Sequence, residues 1–199
     1  MTAGPARTLW TDAVQSYGTI GGGPRLRTFQ ISDFREHLHY GQIIADRVWN
    51  AWWKNAGLPL ADVERHMTEM ADERPLPMAV VAHNDHGYLG SAFLIHSDME
   101  ERPQYGPWVA AVWVEASERK RGLGRALIAE AAKVARALGY RAAYICCRPD
   151  LEGFYSGIGW QVIEQAAGAN RFRFSSVFLR RKPADYRPTR PQGMGRTPV

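Results

Sequence analysis

Two glycines and four cations meet in the sequence Arg119-Lys120-Arg121-Gly122-Leu123-Gly124-Arg125, which joins an apolar run to a segment of helical periodicity. The start of a helix offers unpaired backbone N–H groups and the positive end of the helix dipole, so it suits a phosphate group. The glycines let the backbone approach such a ligand because they have no Cβ atom, and the cations add charge for a polyanion. The pattern therefore predicts a pyrophosphate site at the start of a helix.

Two familiar nucleotide-binding signatures do not fit this loop. A P-loop requires Lys-Ser or Lys-Thr after the glycines, and a dinucleotide-binding loop requires a third glycine where this chain has Leu127. The other interpretation of the loop is a solvated basic turn that caps a helix. The glycine pattern alone does not decide between these two interpretations.

The segments around the loop predict the fold class. Residues 108–114 are apolar throughout, as expected of a strand covered on both faces. Seven segments have the composition of strands: 25–31, 78–83, 88–96, 108–114, 140–147, 159–165 and 171–179. Four segments have helical signals: 33–56 (with Ser32 as N-cap and Gly57 after its end), 60–72, 125–138 and 150–157. This order predicts a mixed α/β fold around one sheet.

A second motif lies one helix and one strand beyond the loop. It reads Leu151-Glu152-Gly153-Phe154-Tyr155-Ser156-Gly157-Ile158-Gly159-Trp160, with a Phe-Tyr pair shortly before Gly-Trp. Together with Arg119, Gly122 and Gly124 in an R-x-x-G-x-G pattern, it resembles the GNAT superfamily of N-acetyltransferases. Two motifs in this order and separation coincide by chance far less often than either alone. The resemblance extends over residues 76–180, and residues 96–108 resemble a bacterial subgroup whose substrates are mostly unassigned.

The resemblance implies the GNAT fold and a place for acetyl-CoA. In that fold a mixed central sheet of about six to seven strands splays between its fourth and fifth strands, and about four helices flank it. Acetyl-CoA would lie between the strands at 108–114 and 140–147. Backbone groups of the segment Val112, Trp113 and Val114 would hold the pantetheine and the thioester, and the 119–125 loop would bind the pyrophosphate.

The implied reaction is direct attack of a neutral amine on the thioester carbonyl. Tyr155 matches the family tyrosine that protonates the departing thiolate, and the alternative is a ring that only packs beside Phe154. We expect the acceptor to be a primary amine of a small molecule. Acetylation of a protein N-terminus or a lysine is one alternative, and a module that binds coenzyme A without turnover is another.

The group that removes the proton of the amine is not evident. Several relatives have a glutamate where this chain has Trp108, and an indole cannot accept a proton. Candidates for this role lie on the strand end and loop just before it: His96, Asp98, Glu100 and Glu101. A water relay is an equal alternative. Glu115 is expected to face solvent near the phosphate end of the strand.

The acceptor side is expected to include aromatic and polar side chains. Trp49, Trp52 and Trp53 lie near the end of the first predicted helix and either wall the acceptor pocket or pack in the core. We select as substrate-binding candidates Trp49, Trp53, His96, Asp98, Glu101 and Trp108.

The charge of the chain is concentrated at one end. The chain has 199 residues and a formal net charge of +5 at pH 7. Residues 180–199 account for all of this charge, since they hold six cations and a single anion, Asp185. A neutral body argues against a nucleic-acid-binding face. We expect one acetyltransferase domain over residues 25–181, a loose leader over 1–24, and a flexible basic tail rich in Pro and Gly over 182–199.

The remaining composition predicts a cytoplasmic protein without a metal. Cys146 and Cys147 are adjacent, so on a strand they point to opposite faces and do not bridge each other. No Cys or His spacing typical of a metal site is present. The first 23 residues lack the layout of a signal peptide, and the longest uncharged apolar run, 105–114, is shorter than the ~20 residues of a membrane helix. We expect no membrane or nucleic-acid partner, and a homodimer is left open.

Overall fold

The apolar runs of the sequence form the strands of one mixed sheet, and helices cover both of its faces. The computed structural model describes residues 16–20, 27–166 and 176–181. The strands are β1 Ser16–Ile20, β2 Arg27–Asp33, β3 Met78–Asn84, β4 Gly87–Ile95, β5 Trp108–Val114, β6 Ala143–Cys147, β7 Gln161–Ala166 and β8 Ser176–Arg181. The α-helices are α1 Gly41–Val48, α2 Leu60–Met70, α3 Leu123–Ala137 and α4 Glu152–Gly157. The strand order across the sheet is β1-β2-β3-β4-β5-β6-β8-β7.

The strand directions confirm the predicted fold class. Neighbouring strands are antiparallel except for β5 and β6, which run parallel. The described part holds eight strands, one more than the upper number expected. The additional strand is β1, which pairs with β2 through residues that the sequence assigned to a loose leader.

The prediction of a loose leader is therefore wrong for Ser16–Ile20. These five residues pair along the edge of β2, where they satisfy backbone groups that would otherwise be unpaired. The other leader residues, 1–15 and 21–24, lie outside the described residues, as do residues 25 and 26 of the predicted domain and the tail, 182–199. The limits proposed for the domain and the tail stay predictions.

Two hydrophobic cores lie on the two faces of the sheet. Alternate residues of β3 contribute to different cores, as expected when successive side chains of a strand point to opposite faces. α3 covers one face with buried residues such as Leu127 and Val134, and α1 and α2 cover the other with Ile44 and Val63. Because both faces are covered, β3 is buried along almost its whole length.

The first predicted helix, 33–56, is not one regular helix. Two short 3₁₀ turns, Phe34–Glu36 and Leu38–Tyr40, precede α1, and a π-helical turn, Trp49–Trp53, follows it. Ser32 is not the N-cap, because β2 continues through Asp33; the Asp33 carboxylate accepts the backbone N–H of Arg35 at 2.9 Å. The predicted end is confirmed, since Gly57 has a left-handed φ of 75°.

α3 begins and ends at glycines with positive φ. Gly122 precedes its first residue with φ 89°, and Gly139 follows its end with φ 86°. No helix among the described residues is long and apolar enough to cross a membrane.

Candidate active site

The sheet opens between its two parallel strands. In the described residues β5 pairs with β6 at Trp108 and Tyr144, and the register does not continue beyond this pair. Trp108 and Val109 are buried, whereas the residues from Ala110 to Val114 are partly exposed. Residues 110–114 pack on both faces, as predicted, with Val112 and Val114 against one core and Ala110 and Ala111 against the other. Their cover is less complete than that of Trp108 and Val109. We call this open gap between β5 and β6 the splay.

A β-bulge lies in β5 beside the splay. Ser91 of β4 pairs with Trp113, but Phe93 pairs with Ala110, so β5 has one extra residue in this interval. Ala111 has a φ of 48°, an uncommon left-handed conformation for a residue with a side chain. Such bulges redirect backbone and side chains and are common next to active sites.

The backbone of β5 presents polar groups to the splay. The N–H of Glu115, just after β5, donates to the carbonyl of Leu89 at 2.9 Å and so points toward β4. Backbone groups alternate in direction along a strand, so Val112 and Val114 direct theirs to the opposite edge, toward β6. They are two of the three residues, Val112, Trp113 and Val114, whose backbone groups are predicted from the sequence to hold a ligand.

The loop before α3 leaves room for a ligand at the helix N-terminus. No side chain of the described residues caps α3, so its first N–H groups have no partner of that kind. A Cβ atom on Gly122 would meet no described atom within 4 Å, and one on Gly124 would lie 3.7 Å from Val114 Cγ2, an ordinary contact. Neither glycine is therefore required by close packing against these residues. Their small size keeps the surface in front of α3 open.

The cations of the loop are not equivalent. Lys120 and Arg125 have exposed side chains. The Arg121 guanidinium lies 3.4 Å from the buried carboxylate of Glu118. Arg119 turns back onto β5, where its Nε donates to the carbonyl of Val114 at 2.9 Å. Its guanidinium carbon lies 4.8 Å from the centre of the Trp113 ring.

Tyr155 lies in the core that α3 forms with the sheet. It is 7% exposed, and its ring makes an edge contact with Phe154 at 5.1 Å. Burial raises the pKa of its hydroxyl, and the nearby Cys147 and Cys146 raise it further. The phenol therefore stays protonated at neutral pH. Its proximity to these cysteines places Tyr155 beside the carboxyl end of β6, which is one wall of the splay.

Both cysteines are free thiols. Burial is the main reason that the pKa of Cys147 is raised to about 12. A thiol with so high a pKa is not a nucleophile at neutral pH. This agrees with the interpretation of Cys147 as a strand residue.

Trp108 is an interior residue, which contradicts its choice as a substrate-binding candidate. It is 0% exposed, and its Nε1 donates to the carbonyl of Tyr105 at 2.9 Å. It forms a small core with Met99, against which Tyr144 packs. The parallel pairing of β5 and β6 buries the indole at the closed end of the splay.

The three tryptophans of the first helical segment differ in their surroundings. Trp49 Nε1 donates to the carbonyl of Leu58 at 2.8 Å, which holds this side chain in the structure. Trp53 makes an edge contact with His66 at 5.5 Å. Trp52 reaches the sheet, with its ring 6.2 Å from that of Trp113. Of the three, Trp52 is thus the residue in contact with β5.

The polar candidates between β4 and β5 lie on a loop that is fastened to the far side of the splay. His96 and Glu101 are exposed and Asp98 is half-buried. Within the same loop, Arg102 Nε donates to Glu164 of β7 at 2.8 Å, and the Arg102 guanidinium lowers the pKa of that carboxyl. The Tyr105 ring stacks on Tyr144 of β6 at 4.9 Å. Arg102 and Tyr105 were not among the predicted site residues, since their partners are remote in the chain.

A second polar group joins α1 to the end of β5. Arg47 Nε donates to Glu115 at 2.7 Å. Glu115 is 24% exposed, so it does not simply face solvent, as expected, but is paired. Nearby, the hydroxyls of Tyr88 and Ser91 are 2.8 Å apart, and burial raises the pKa of Tyr88. No local pattern in the sequence indicates this group.

Within the part of the chain that the structure describes, no group of three or more His, Cys, Asp or Glu residues is arranged to hold a metal ion.

The comparisons with known proteins agree with this geometry. Residues 45–160, more than half of the chain, match the model of the Acetyltransferase (GNAT) family. The comparison with curated proteins gives no match.

Solved structures share the fold at low sequence identity. An aminoglycoside 6'-N-acetyltransferase complexed with coenzyme A is 19% identical, with a TM-score of 0.62, over 80% of this chain and 99% of that chain. An aminoglycoside 6'-acetyltransferase type Ii is 23% identical, with a TM-score of 0.57, over 76% and 96%. A GNAT-family acetyltransferase from Staphylococcus aureus Mu50 is 14% identical, with a TM-score of 0.53, over 77% and 98%. At these identities the similarity shows the fold alone.

Proposed function

This chain belongs to the GNAT acetyltransferase family, and we propose that it transfers the acetyl group of acetyl-CoA to a primary amine of a small molecule. One observation carries the proposal: parallel strands part after a single residue pair, next to an uncapped helix N-terminus that follows a glycine-containing basic loop. An extended chain that ends in a pyrophosphate fits this arrangement, because the splay suits its narrow arm and the helix start suits its charge.

The residues of the splay fit coenzyme A in two further respects. The edge of β5 is proposed to offer the N–H groups of Val112 and Val114 and the carbonyl of Val112 to the amides of a pantetheine arm, since the Val114 carbonyl already accepts from Arg119. The indole Nε1 of Trp113 is buried and has no hydrogen-bond partner among the described residues, and a buried donor of this kind is normally satisfied. When bound, the coenzyme supplies an acetyl thioester. The pyrophosphate is proposed to lie on the backbone of Gly122, Leu123 and Gly124, with charge from Lys120, Arg121 and Arg125.

The proposed chemistry divides between β5 and α4. The amine nitrogen forms a bond to the thioester carbon while the C–S bond breaks and its electrons go to sulfur. A backbone N–H on the open edge of β5, such as that of Val112, donates to the carbonyl oxygen as its negative charge grows. Tyr155 then gives its proton to the thiolate. The raised pKa keeps the hydroxyl protonated before the reaction, and the assignment is supported by the position of Tyr155 in one cluster with Cys147, at the carboxyl end of β6.

The proton of the amine is proposed to leave through water. Trp108, which stands where several relatives have a glutamate, is an interior indole. Among the candidates for the proton acceptor, His96 and Glu101 have exposed side chains. Water is therefore proposed to reach the open side of the splay and to carry the proton away. Asp98, on the same loop, stays a candidate for this role.

A small amine is the proposed acceptor. The relatives named above as aminoglycoside acetyltransferases share the fold of this chain and are named for small molecules. The side of the splay that faces α1 is lined by partly exposed residues, among them Ala110, Trp113 and Trp52. We place the acceptor on this side, between the π-helical turn and the loop that contains Asp98.

The first test is binding of coenzyme A by calorimetry, with Gly124→Val as the variant. A Cβ atom at 124 would make only an ordinary contact, 3.7 Å from Val114 Cγ2, and the valine side chain is expected to occupy the space proposed for the pyrophosphate. We expect the affinity to fall about tenfold or more, since a contact worth about 1.4 kcal/mol changes the equilibrium tenfold.

Gly153→Val is the matched control. Gly153 is also the second residue of its helix, and a Cβ atom there meets no described atom within 4 Å. Its affinity for coenzyme A should stay near that of the wild type. Equal affinities of the Gly124 and Gly153 variants for coenzyme A would contradict the assignment of the 119–125 loop as the pyrophosphate site. A screen of amines that detects the released thiol then identifies the acceptor, and binding without any turnover would favour a coenzyme-binding module.

A further inference from the structure

Arg119 differs from the other cations of the loop because it contacts the strand and not the space in front of the helix. Its Nε–H donates to the Val114 carbonyl at 2.9 Å, and its guanidinium lies over the Trp113 ring at 4.8 Å. The two contacts hold consecutive residues at the end of β5. Nothing in the glycine pattern of the loop requires either of them.

The Val114 carbonyl is a group whose direction matters. It lies on the edge of β5 that faces the splay, beyond the point where β5 pairs with β6. Without a partner strand, such a carbonyl has no sheet hydrogen bond to orient it. The guanidinium supplies that bond, and bonds from a charged donor are stronger than those between neutral groups.

The Trp113 ring extends the contact to the other side of the site. The Trp113 ring contacts the Arg119 guanidinium. It also makes an edge contact with Trp52, with 6.2 Å between the ring centres. Trp52 belongs to the π-helical turn. This conformation is rare in proteins, and where it occurs it is frequently found at functional sites. Arg119, Trp113 and Trp52 therefore form a continuous series of contacts from the coenzyme loop to the segment proposed to face the acceptor.

We propose that Arg119 is a positioning residue, which holds the end of β5 for the coenzyme through Val114 and Trp113 and does not serve as a charge for the phosphates. This inference rests on the proposed function. Lys120 and Arg125 are exposed, as Arg119 is, so what distinguishes Arg119 is its bond to Val114 and its contact with Trp113. The inference also predicts that Arg119 affects the acceptor, through Trp113 and Trp52.

Two substitutions separate positioning from charge. In Arg119→Gln, the side-chain nitrogen of the glutamine stands at the same bond count from the backbone as the arginine Nε, so the variant retains the donor and loses the charge. Arg119→Lys retains the charge but has a carbon at that position and no planar group to lie on Trp113. If Arg119 positions β5, the Gln variant should bind coenzyme A within about threefold of the wild type, and the Lys variant about tenfold more weakly.

The same pair of substitutions at Arg125 is the control. Arg125 is exposed in the first turn of α3, where charge alone is expected to matter, so Arg125→Lys should bind coenzyme A better than Arg125→Gln. In addition, at saturating acetyl-CoA, Arg119→Lys should raise the KM for the amine more than Arg125→Lys does. Melting temperatures and near-ultraviolet circular dichroism check that all four variants are folded and whether the environment of the tryptophans has changed.

Three results would overturn the inference. The Lys variant could bind coenzyme A better than the Gln variant at Arg119, as is expected at Arg125. Alternatively, both Arg119 variants could lose the same amount of affinity for coenzyme A, or neither could lose any. Failure of the proposed function gives a different result, because the wild-type protein itself would then not bind coenzyme A.

Discussion

At the scale of single residues, the packing of Tyr155 bears on its proposed role as an acid. Its ring is buried beside Phe154 in the core under α3, and its backbone carbonyl accepts the N–H of Trp160 at 3.1 Å. This bond links the Phe-Tyr pair to the Gly-Trp pair of the second motif. Burial also raises the pKa of the hydroxyl, so the packing that fixes the ring keeps the hydroxyl protonated.

Substitution of Tyr155 by Phe should therefore remove the acid and keep the packing. We expect kcat for acetyl transfer to fall about 10²–10⁴-fold, the usual contribution of a positioned acid. The affinity for coenzyme A should change little, since the hydroxyl acts on the departing thiolate more than on the bound thioester. Steady-state rates of thiol release and calorimetric binding measure the two effects.

Tyr140→Phe is a suitable comparison, because Tyr140 also packs against this core but has no proposed role in the chemistry. Its rate should stay near that of the wild type. Wild-type turnover in Tyr155→Phe, with chemistry shown to limit the rate, would mean that the thiolate leaves unprotonated or takes its proton from water.

At the scale of elements, the start of the first helical segment packs on β3 through a cluster of three histidines, His37, His39 and His83. The ring centres of His37 and His83 are 4.2 Å apart, and His39 lies 5.8 Å from His37. Burial lowers the pKa of His83, and the adjacent His37 and His39 lower it further. The pKa of His37 is also lowered, mainly by burial, although Glu36 and Asp33 act in the opposite direction.

This cluster predicts that stability falls in mild acid. The unfolded chain, with a histidine pKa of about 6.5, binds protons that the folded chain takes up only at lower pH. The free energy of unfolding is therefore highest when the histidines are neutral, and it declines as pH falls below about 6.5 toward the folded pKa values. Thermal unfolding between pH 8 and 5.5 measures the decline, at about 2–4 °C for each kcal/mol in a chain of this size.

The variant His83→Gln tests the origin of this effect. Glutamine retains a polar partner for the Ser32 hydroxyl, which lies 3.0 Å from His83 Nε2, but it does not titrate. Its melting temperature should depend less on pH over the same interval than that of the wild type. An identical slope in both proteins would assign the acid sensitivity to other groups.

At the scale of the whole molecule, the net positive charge and the apolar core residues lie in different parts of the chain. The folded body contains two apolar cores around a sheet, whereas the last twenty residues account for the whole net charge of +5. These last residues include four prolines and two glycines, a composition with little apolar surface to bury. Stability and coenzyme binding should thus depend on the body alone.

Deletion of residues 182–199 tests this division, since it removes four cations and Asp185. We expect the melting temperature to change by less than about 2 °C and the affinity for coenzyme A by less than about twofold, as is usual for an unpacked terminus. Any salt-dependent retention on DNA should disappear with the tail. A large drop in melting temperature would instead show that the tail packs on the body or on a second copy.

Much of the fold followed from local patterns in the sequence. The limits of β5 were predicted without error, because an apolar run ends at a polar, glycine-containing loop. Gly57, Gly122 and Gly139 have the positive φ values that helix boundaries at glycine require. The first helical segment was less regular than its periodicity indicated, since its packing on the sheet converts its ends into 3₁₀ and π-helical turns.

By itself, then, the sequence determined the family, the strand and helix that flank the loop at 119–125, and the motif that contains Tyr155, because short-range spacing encodes each of these. The tertiary structure alone decided which side chains meet at the splay. Arg47 and Glu115 are 68 residues apart, and Arg102 and Glu164 are 62 apart, so no local pattern records their pairing. The same holds for the burial of Trp108 and for the turn of Arg119 onto β5. Each depends on where the divergence of two strands leaves backbone and side chains open to a partner.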